Sequence, residues 1–221
     1  MQRFLIFGLT ASLGAMGELA GHERRGALAW PGRSAVIGLM GAALGIRRDG
    51  DFSALEALEI TVGIYDSGAP LRDYHTIETV PSAAVKAPNS RPEALRAARG
   101  RTNTTITLRD YRTGPFFGVA VAGQGLEALK DALNAPAFTL YLGRKSCPLA
   151  APPGARVVDA EGAEAALAQV IVPPWRKSAR LVSLIVEDPA GEVVHDVAID
   201  RARWHFAPRR VAVRSAEGGA A

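Results

Sequence analysis

The sequence predicts an α+β fold, a ferredoxin-like sandwich with a protruding finger and a smaller C-terminal β-rich lobe. Three observations predict it. Apolar, strand-like runs at 4–7, 61–65, 116–122 and 138–142 alternate with two stretches of helical pattern, one starting near Ser34 and one over 125–133. A long polar excursion separates the second run from the third. Beyond Pro152 and Pro153 the composition shifts to an alanine-rich helix followed by further strands. The predicted division is 1–150 for the sandwich, with the finger at about 74–112, and 151–221 for the lobe.

The first run, Phe4 to Phe7, is apolar at every position, as a strand buried on both faces is, and the glycines Gly8, Gly14 and Gly17 are expected to end it. Arg3 followed by the apolar stretch 4–16 also has the outline of a secretory signal; the buried strand is the reading adopted. A charged, glycine-rich loop through His22, Glu23, Arg24 and Arg25 follows. Ser34 is the expected N-cap of the first helix. Its uncharged run, 34–46, is far shorter than the roughly 20 apolar residues of a bilayer span, so no membrane segment is expected.

Residues 61–65 read as a strand, 66–70 as a turn and 74–80 as a strand leaving the domain. From 82 to 101 apolar periodicity is lost, and Pro88, Asn89, Ser90, Pro92 and Gly100 predict a loop or arm; 102–109 reads as the returning strand. This finger carries Lys86, Arg91, Arg96, Arg99, Arg101, Arg109 and Arg112 against only Glu93 and Asp110. After the strand at 116–122, Leu126, Leu129 and Leu133 fall on one helical face, and 138–142 reads as a strand. The C-terminal part is expected to hold a helix at 161–168 and strands near 181–186 and 193–199.

The chain carries 26 Lys and Arg against 22 Asp and Glu, a net charge of +4. Its excess is arginine-led, which favours phosphate partners because guanidinium binds phosphate through a two-pronged fork. Cys147 is the single cysteine, so no intramolecular disulfide is available and no cysteine cluster can hold a metal; a reducing cytoplasm fits. No phosphate-binding G-K-[ST] loop and no H-E-x-x-H pattern occurs, and no cofactor is expected.

Three constellations are candidates for function. In Arg72-Asp73-Tyr74-His75-Thr76, strand alternation puts Tyr74 and Thr76 on one face and Asp73 and His75 on the other. His75 reads either as an acid–base group for metal-independent RNA cleavage or as a residue that binds a base or backbone group. In the loop 141–148, Gly143 allows close backbone approach, Arg144 and Lys145 supply charge for phosphate, and Tyr141 supplies a ring for a base. Cys147 there reads as a buried structural thiol rather than a nucleophile. The tail 201–214 holds Arg201, Arg203, Arg209, Arg210 and Arg214 with no acidic residue, interleaved with Trp204, His205 and Phe206. It suits single-stranded RNA, or equally an edge strand whose arginines block aggregation while Trp204 and Phe206 face the core.

Arg33-Ser34 leading into the run 38–46, then 72–76, then Tyr141 to Leu149, in that order, resemble the signature blocks of the CasD family of type I-E CRISPR Cascade subunits, within the RAMP superfamily and Cas family five. Arg203, Phe206, Arg210 and Val211 resemble its C-terminal block, so the similarity spans nearly the whole chain. The resemblance implies an RNA-recognition-motif-like domain with a thumb at the finger, capping the 5′ handle of crRNA without cutting it. Its implied RNA-binding residues are Arg33, Ser34, Arg72, Tyr74, His75, Thr76, Arg99, Arg101, Arg109, Tyr141, Gly143, Arg144, Lys145 and Ser146. Implied partners are the crRNA 5′ handle, the backbone subunit CasC, the large subunit CasA and, through the complex, target DNA. Related type I-C subunits cleave repeat RNA, which keeps an endonuclease as the alternative. The family's first glycine-rich loop commonly carries a tryptophan; here the loop reads Leu13-Gly14-Ala15-Met16-Gly17.

Overall fold

Leu5, Phe7 and Leu9 point to one side of the first strand and Phe4 and Ile6 to the other, and both sides are buried. That double burial makes it a central strand. The computed structural model describes residues 1–18, 23–201 and 203–217; His22 lies outside the described residues. In chain order the elements are β1 (Gln2–Thr10), β2 (Leu13–Gly14), β3 (Arg24–Arg25), α1 (Arg33–Ala43), α2 (Ser53–Glu56), β4 (Glu59–Asp66) and β5 (Ala69–Thr79). There follow α3 (Arg91–Ala98), β6 (Asn103–Thr113), β7 (Phe116–Ala122), α4 (Leu126–Asn134), β8 (Arg156–Ala160), α5 (Ala163–Leu167), a 3-10 turn (Pro174–Arg176), β9 (Ser183–Asp200) and β10 (His205–Ser215).

The architecture is mixed α/β, with largely antiparallel sheets and few helices. Six strands form the main sheet in the order β10-β9-β4-β7-β1-β8, every neighbouring pair antiparallel. One face is covered by α1 and α4 through Val36, Ile37, Met40, Leu126, Leu129 and Leu133, packed on Leu5, Phe7, Leu9, Phe117 and Val119. The other is covered by α5 and the segment after it, where Leu167 and Val170 pack on Ile6, Tyr65 and Phe116. On that face a row of glycines crosses three strands in register, Gly63 beside Gly118 beside Gly8. A Cβ on Gly118 would lie 3.0 Å from Leu167 Cδ2 and 2.9 Å from Tyr65 Cε2, so the row is the trough into which the following layer fits. The strands beyond residue 151 join the main sheet: β8 closes one edge, and β9 and β10 extend the other.

A second sheet stands off the first. β5 and β6 pair antiparallel along their full length, from Ala69↔Thr113 to Thr79↔Asn103, and β2 and β3 line the far edge of β6. This arm leaves the main sheet between β4 and β7.

Several expectations need correction. Ser34 is not the cap of α1: Gly32 occupies that position, and the Arg33 backbone N–H donates to Asp196 Oδ2 at 2.7 Å, so a carboxylate from β9 terminates the helix. Residues 82–101 are not all loop. They hold α3, with Pro in its first turn and the Ser90 side chain accepting from the Glu93 N–H. Residues 138–142 form no strand, only a single bridge between Tyr141 and Pro148, because β8 already fills the edge of β1. The two strands expected at 181–186 and 193–199 are one strand, β9, whose pairing with β10 jumps from Glu187↔Val211 to Val193↔Arg210 across a bulge.

Candidate nucleic-acid interface

Cross-strand register sorts the arm into two faces. On the first lie Asp73, His75, Ile77 and Thr79 opposite Arg109, Thr107, Thr105 and Asn103, with Arg25 of β3 beside Arg109. On the second lie Arg72, Tyr74 and Thr76 opposite Asp110, Leu108 and Ile106, with Arg24 beside Leu108. Tyr74 and His75 thus point in opposite directions, as the sequence alternation anticipated, and do not form an acid–base pair.

The first face is an open groove lined by Arg25, Ile77, Thr79, Thr105, Thr107 and Arg109. The Asp73 carboxylate holds the His75 ring at Nε2. Toward the root of the arm the same face carries the buried Tyr111, against which the Arg144 guanidinium lies with its carbon 4.6 Å from the ring centroid. Ala15, Tyr111 and Cys147 form a small buried cluster beneath the 141–148 loop. Two buried polar atoms here, Thr107 Oγ1 and Arg144 Nη1, have no hydrogen-bond partner among the described residues. The accessible charge on this face comes from Arg25 and Arg109, which line the groove, with Arg144 packed against Tyr111.

The second face is different in kind. Asp110 accepts from Arg72 Nε at 2.7 Å and Nη2 at 3.2 Å, and from Arg24 Nη2 at 3.3 Å. The hydrogen bond from Arg72, then that from Arg24, outweighs partial burial and holds the Asp110 carboxyl below the usual carboxylate range. Arg72 is thereby occupied. Tyr74 and Ile106 stand out from this face, 59% and 45% exposed.

The remaining sequence candidates scatter. Arg33 lies away from the arm, where its Nη2 donates to the Glu56 and Leu58 carbonyls at 2.7 and 2.9 Å and ties α1 to the end of α2 and the turn before β4; Ser34 sits in the first turn of the same helix. Arg99 caps α3 in the left-handed region at φ 50°, and Arg101 bonds the Ala98 and Ala84 carbonyls, so both belong to the arm's tip. Tyr141 is half-buried and Lys145 and Ser146 are exposed beside the groove's root. Gly143 does permit close backbone approach, at φ 88°, but the chain's own Ala15 makes it: a Cβ would sit 1.9 Å from the Ala15 carbonyl oxygen. Met16, where the loop lacks its tryptophan, is fully buried in the core.

The basic tail is β10, an edge strand, and its arginines have partners elsewhere in the chain. Arg209 pairs with Asp196, Arg214 with Asp188, Arg203 with Asp200 and Arg201 with Glu56. Arg210 donates to the Gly191 carbonyl. The edge-strand reading describes this segment, but its aromatics do not face the core: Trp204 is 66% exposed with Arg48 over its ring at 3.5 Å, and half-buried Phe206 lies beside Trp204 at 6.5 Å between ring centroids. Of the residues that line the groove only Arg109 was a sequence candidate; Glu23, Arg25, Ile77, Thr79, Thr105, Thr107 and Leu108 were missed. The run Arg24-Arg25 was visible, but only the register of β3 on β6 assigns the pair to opposite faces. Among the described residues no cluster of potential metal ligands occurs, and no helix is long and apolar enough to cross a membrane.

Residues 4–212 match the family described as CRISPR-associated protein (Cas_Cas5). The chain is similar to the CRISPR system Cascade subunit CasD of Escherichia coli (strain K12), with 34% identity over 169 residues covering 69% of this chain and 70% of the relative. It is similar in structure to a chain of a CRISPR RNA-guided surveillance complex, with a TM-score of 0.67 and 24% identity over 96% of this chain and 90% of that one. A solved Cas protein gives a TM-score of 0.64 and 27% identity over 96% of this chain and 94% of that one.

Proposed function

This chain belongs to the CRISPR-associated Cas5 family, and from that premise we propose that it is a non-catalytic subunit of a type I-E Cascade complex that binds and caps the 5′ handle of crRNA. The observation that carries the proposal is the first face of the arm, an open groove where Arg25 and Arg109 stand beside Ile77, Thr79 and Thr105, with Arg144 against Tyr111 toward its root. The element order β1-α1-β4-β7-α4-β8 with the strand order β8-β1-β7-β4 supports a ferredoxin-like reading of the domain. The arm is then the elongated hairpin between its second and third strands, and serves as the thumb.

Unstacked handle bases lie along the groove while cations neutralise the backbone, with His75, oriented by Asp73, as a base- or backbone-binding group. Arginines of the arm and loop meet about 4 to 6 phosphates, which sets a salt slope of roughly −3 to −4. Tyr74 and Ile106, exposed on the opposite face, are the groups able to wedge between handle and spacer. CasC and CasA are the neighbours within the complex, target DNA is reached through it, and the cytoplasm is its place of action.

The test incubates the full chain with its cognate repeat RNA in the absence of metal, following binding by anisotropy and cleavage on a gel. Handle binding with intact RNA is expected, and His75→Ala weakens binding only. Cleavage abolished by His75→Ala would instead make the chain an endoribonuclease like the type I-C relatives. Handle affinity unchanged by Arg109→Glu would make the arm a contact for protein.

A further inference from the structure

At the root of the arm, on the sheet face opposite α1 and α4, the chain passes from α5 into β9 through residues 171–182. From 165 to 186 it contains no acidic residue, while Arg176, Lys177 and Arg180 are basic. Pro173 and Pro174 fix φ through the turn, and Pro174–Arg176 closes as a 3-10 turn. Arg176 fastens this turn to the arm's base: Nη1 bonds Asp66 Oδ2 at 2.9 Å, and Nη2 donates to the Gly114 carbonyl. Its charge is consumed in that anchorage. Lys177 has no carboxylate partner among the described residues, and Arg180 bonds only the Lys177 and Ala179 carbonyls.

Between anchor and prolines stands Trp175, 61% exposed. The chain has three tryptophans. Trp30 packs against the core, and Trp204 has one ring face covered by Arg48. Among the described residues no ring or guanidinium stacks on Trp175.

We propose that residues 171–182 form a second binding site, separate from the arm's groove, for single-stranded nucleic acid: Trp175 stacks on a base, and Lys177 and Arg180 neutralise the flanking phosphates. An uncovered indole on a rigid turn, followed by Lys177 and Arg180 in a stretch of chain that carries no acid from 165 to 186, fits a ligand that alternates planar rings with negative charge. An acidic peptide would satisfy the cations and leave the ring unused. The site shares no residue with the groove, so it extends the strand-binding surface past the root of the arm.

The test uses the full chain with Trp30→Phe and Trp204→Phe, leaving Trp175 as the only indole, and follows its fluorescence on titration with oligouridylate, oligothymidylate and polyglutamate of matched charge. Saturable quenching by an oligonucleotide is expected, weakened about tenfold or more by Lys177→Glu with Arg180→Glu at low salt and retained in Arg109→Glu with Lys145→Glu. Preference for oligouridylate identifies RNA as the strand, and preference for oligothymidylate identifies DNA. No quenching by either, or equal response to polyglutamate, overturns the site. A parallel measurement in the unmodified chain, photocrosslinking 4-thiouridine RNA, is expected to label the 171–182 peptide; label confined to the arm and the 141–148 loop overturns it. Loss of handle binding by the unmodified chain, with Trp175 quenching intact, would sink the capping role and leave this site standing.

Discussion

Asp196 shows how much of this molecule rests on single contacts. It is 2% exposed, accepts from Arg209 Nε and Nη2 at 2.7 and 2.9 Å, and accepts the Arg33 N–H that opens α1. Removing one partner of a buried pair strands the other, so Asp196→Ala is expected to cost about 3–5 kcal/mol in urea unfolding, with part recovered when Arg209→Leu is added. A cost under about 1 kcal/mol would contradict the buried-pair account. In sequence Arg209 reads as one more cation of a basic tail, because its partner becomes visible only when the β9–β10 hairpin is in register. Asp110 gives a pH prediction at the same scale. Its folded pKa lies below the ordinary 3.8, so its contribution to the arm is complete above that value and is lost as pH falls through the lowered one. Amide exchange in β5 and β6 should therefore accelerate below about pH 4, and Asp110→Asn should remove the part of that acceleration owed to this carboxylate. Unaltered acid acceleration in the variant would contradict it.

Elements were legible where apolar pattern alone decides them. The runs at 4–7, 61–65 and 116–122 became β1, β4 and β7, and the Leu126, Leu129, Leu133 stripe became the buried face of α4. α3 was missed although Ser90-Arg91-Pro92-Glu93 is a capping-box sequence, because its weak apolar face and flanking prolines obscured the period. Ser90→Ala should cost about 1 kcal/mol locally, seen as faster exchange across 91–98 with the global melting temperature unmoved. Gly8, expected to end the first strand, lies inside β1 and joins Gly118 and Gly63 in a docking trough for α5. Gly118→Val should lower global stability by about 1–3 kcal/mol or more by urea unfolding, since Leu167 and Tyr65 already fill the space; a neutral result would contradict that fit.

At the scale of the whole molecule, a two-faced sheet positions an arm whose two faces differ in character. One is an open groove lined by the cations Arg25 and Arg109, and the other pairs its charges and exposes Tyr74 and Ile106. The family and its order of blocks were readable from the sequence, while the grouping of candidate residues was not. Arg109 and Arg144 meet on one face only through the register of β6 and the seating of the 141–148 loop on Ala15 and Tyr111, whereas Arg33 is drawn off to hold α1. The measurement that bears most directly on the central claim is the salt dependence of the full chain's affinity for the 5′ handle RNA, for the unmodified protein and for Arg109→Glu with Lys145→Glu. The account predicts a slope of roughly −3 to −4 for the former and a shallower slope with much weaker binding for the latter. Equal affinity and slope in the two proteins would contradict it.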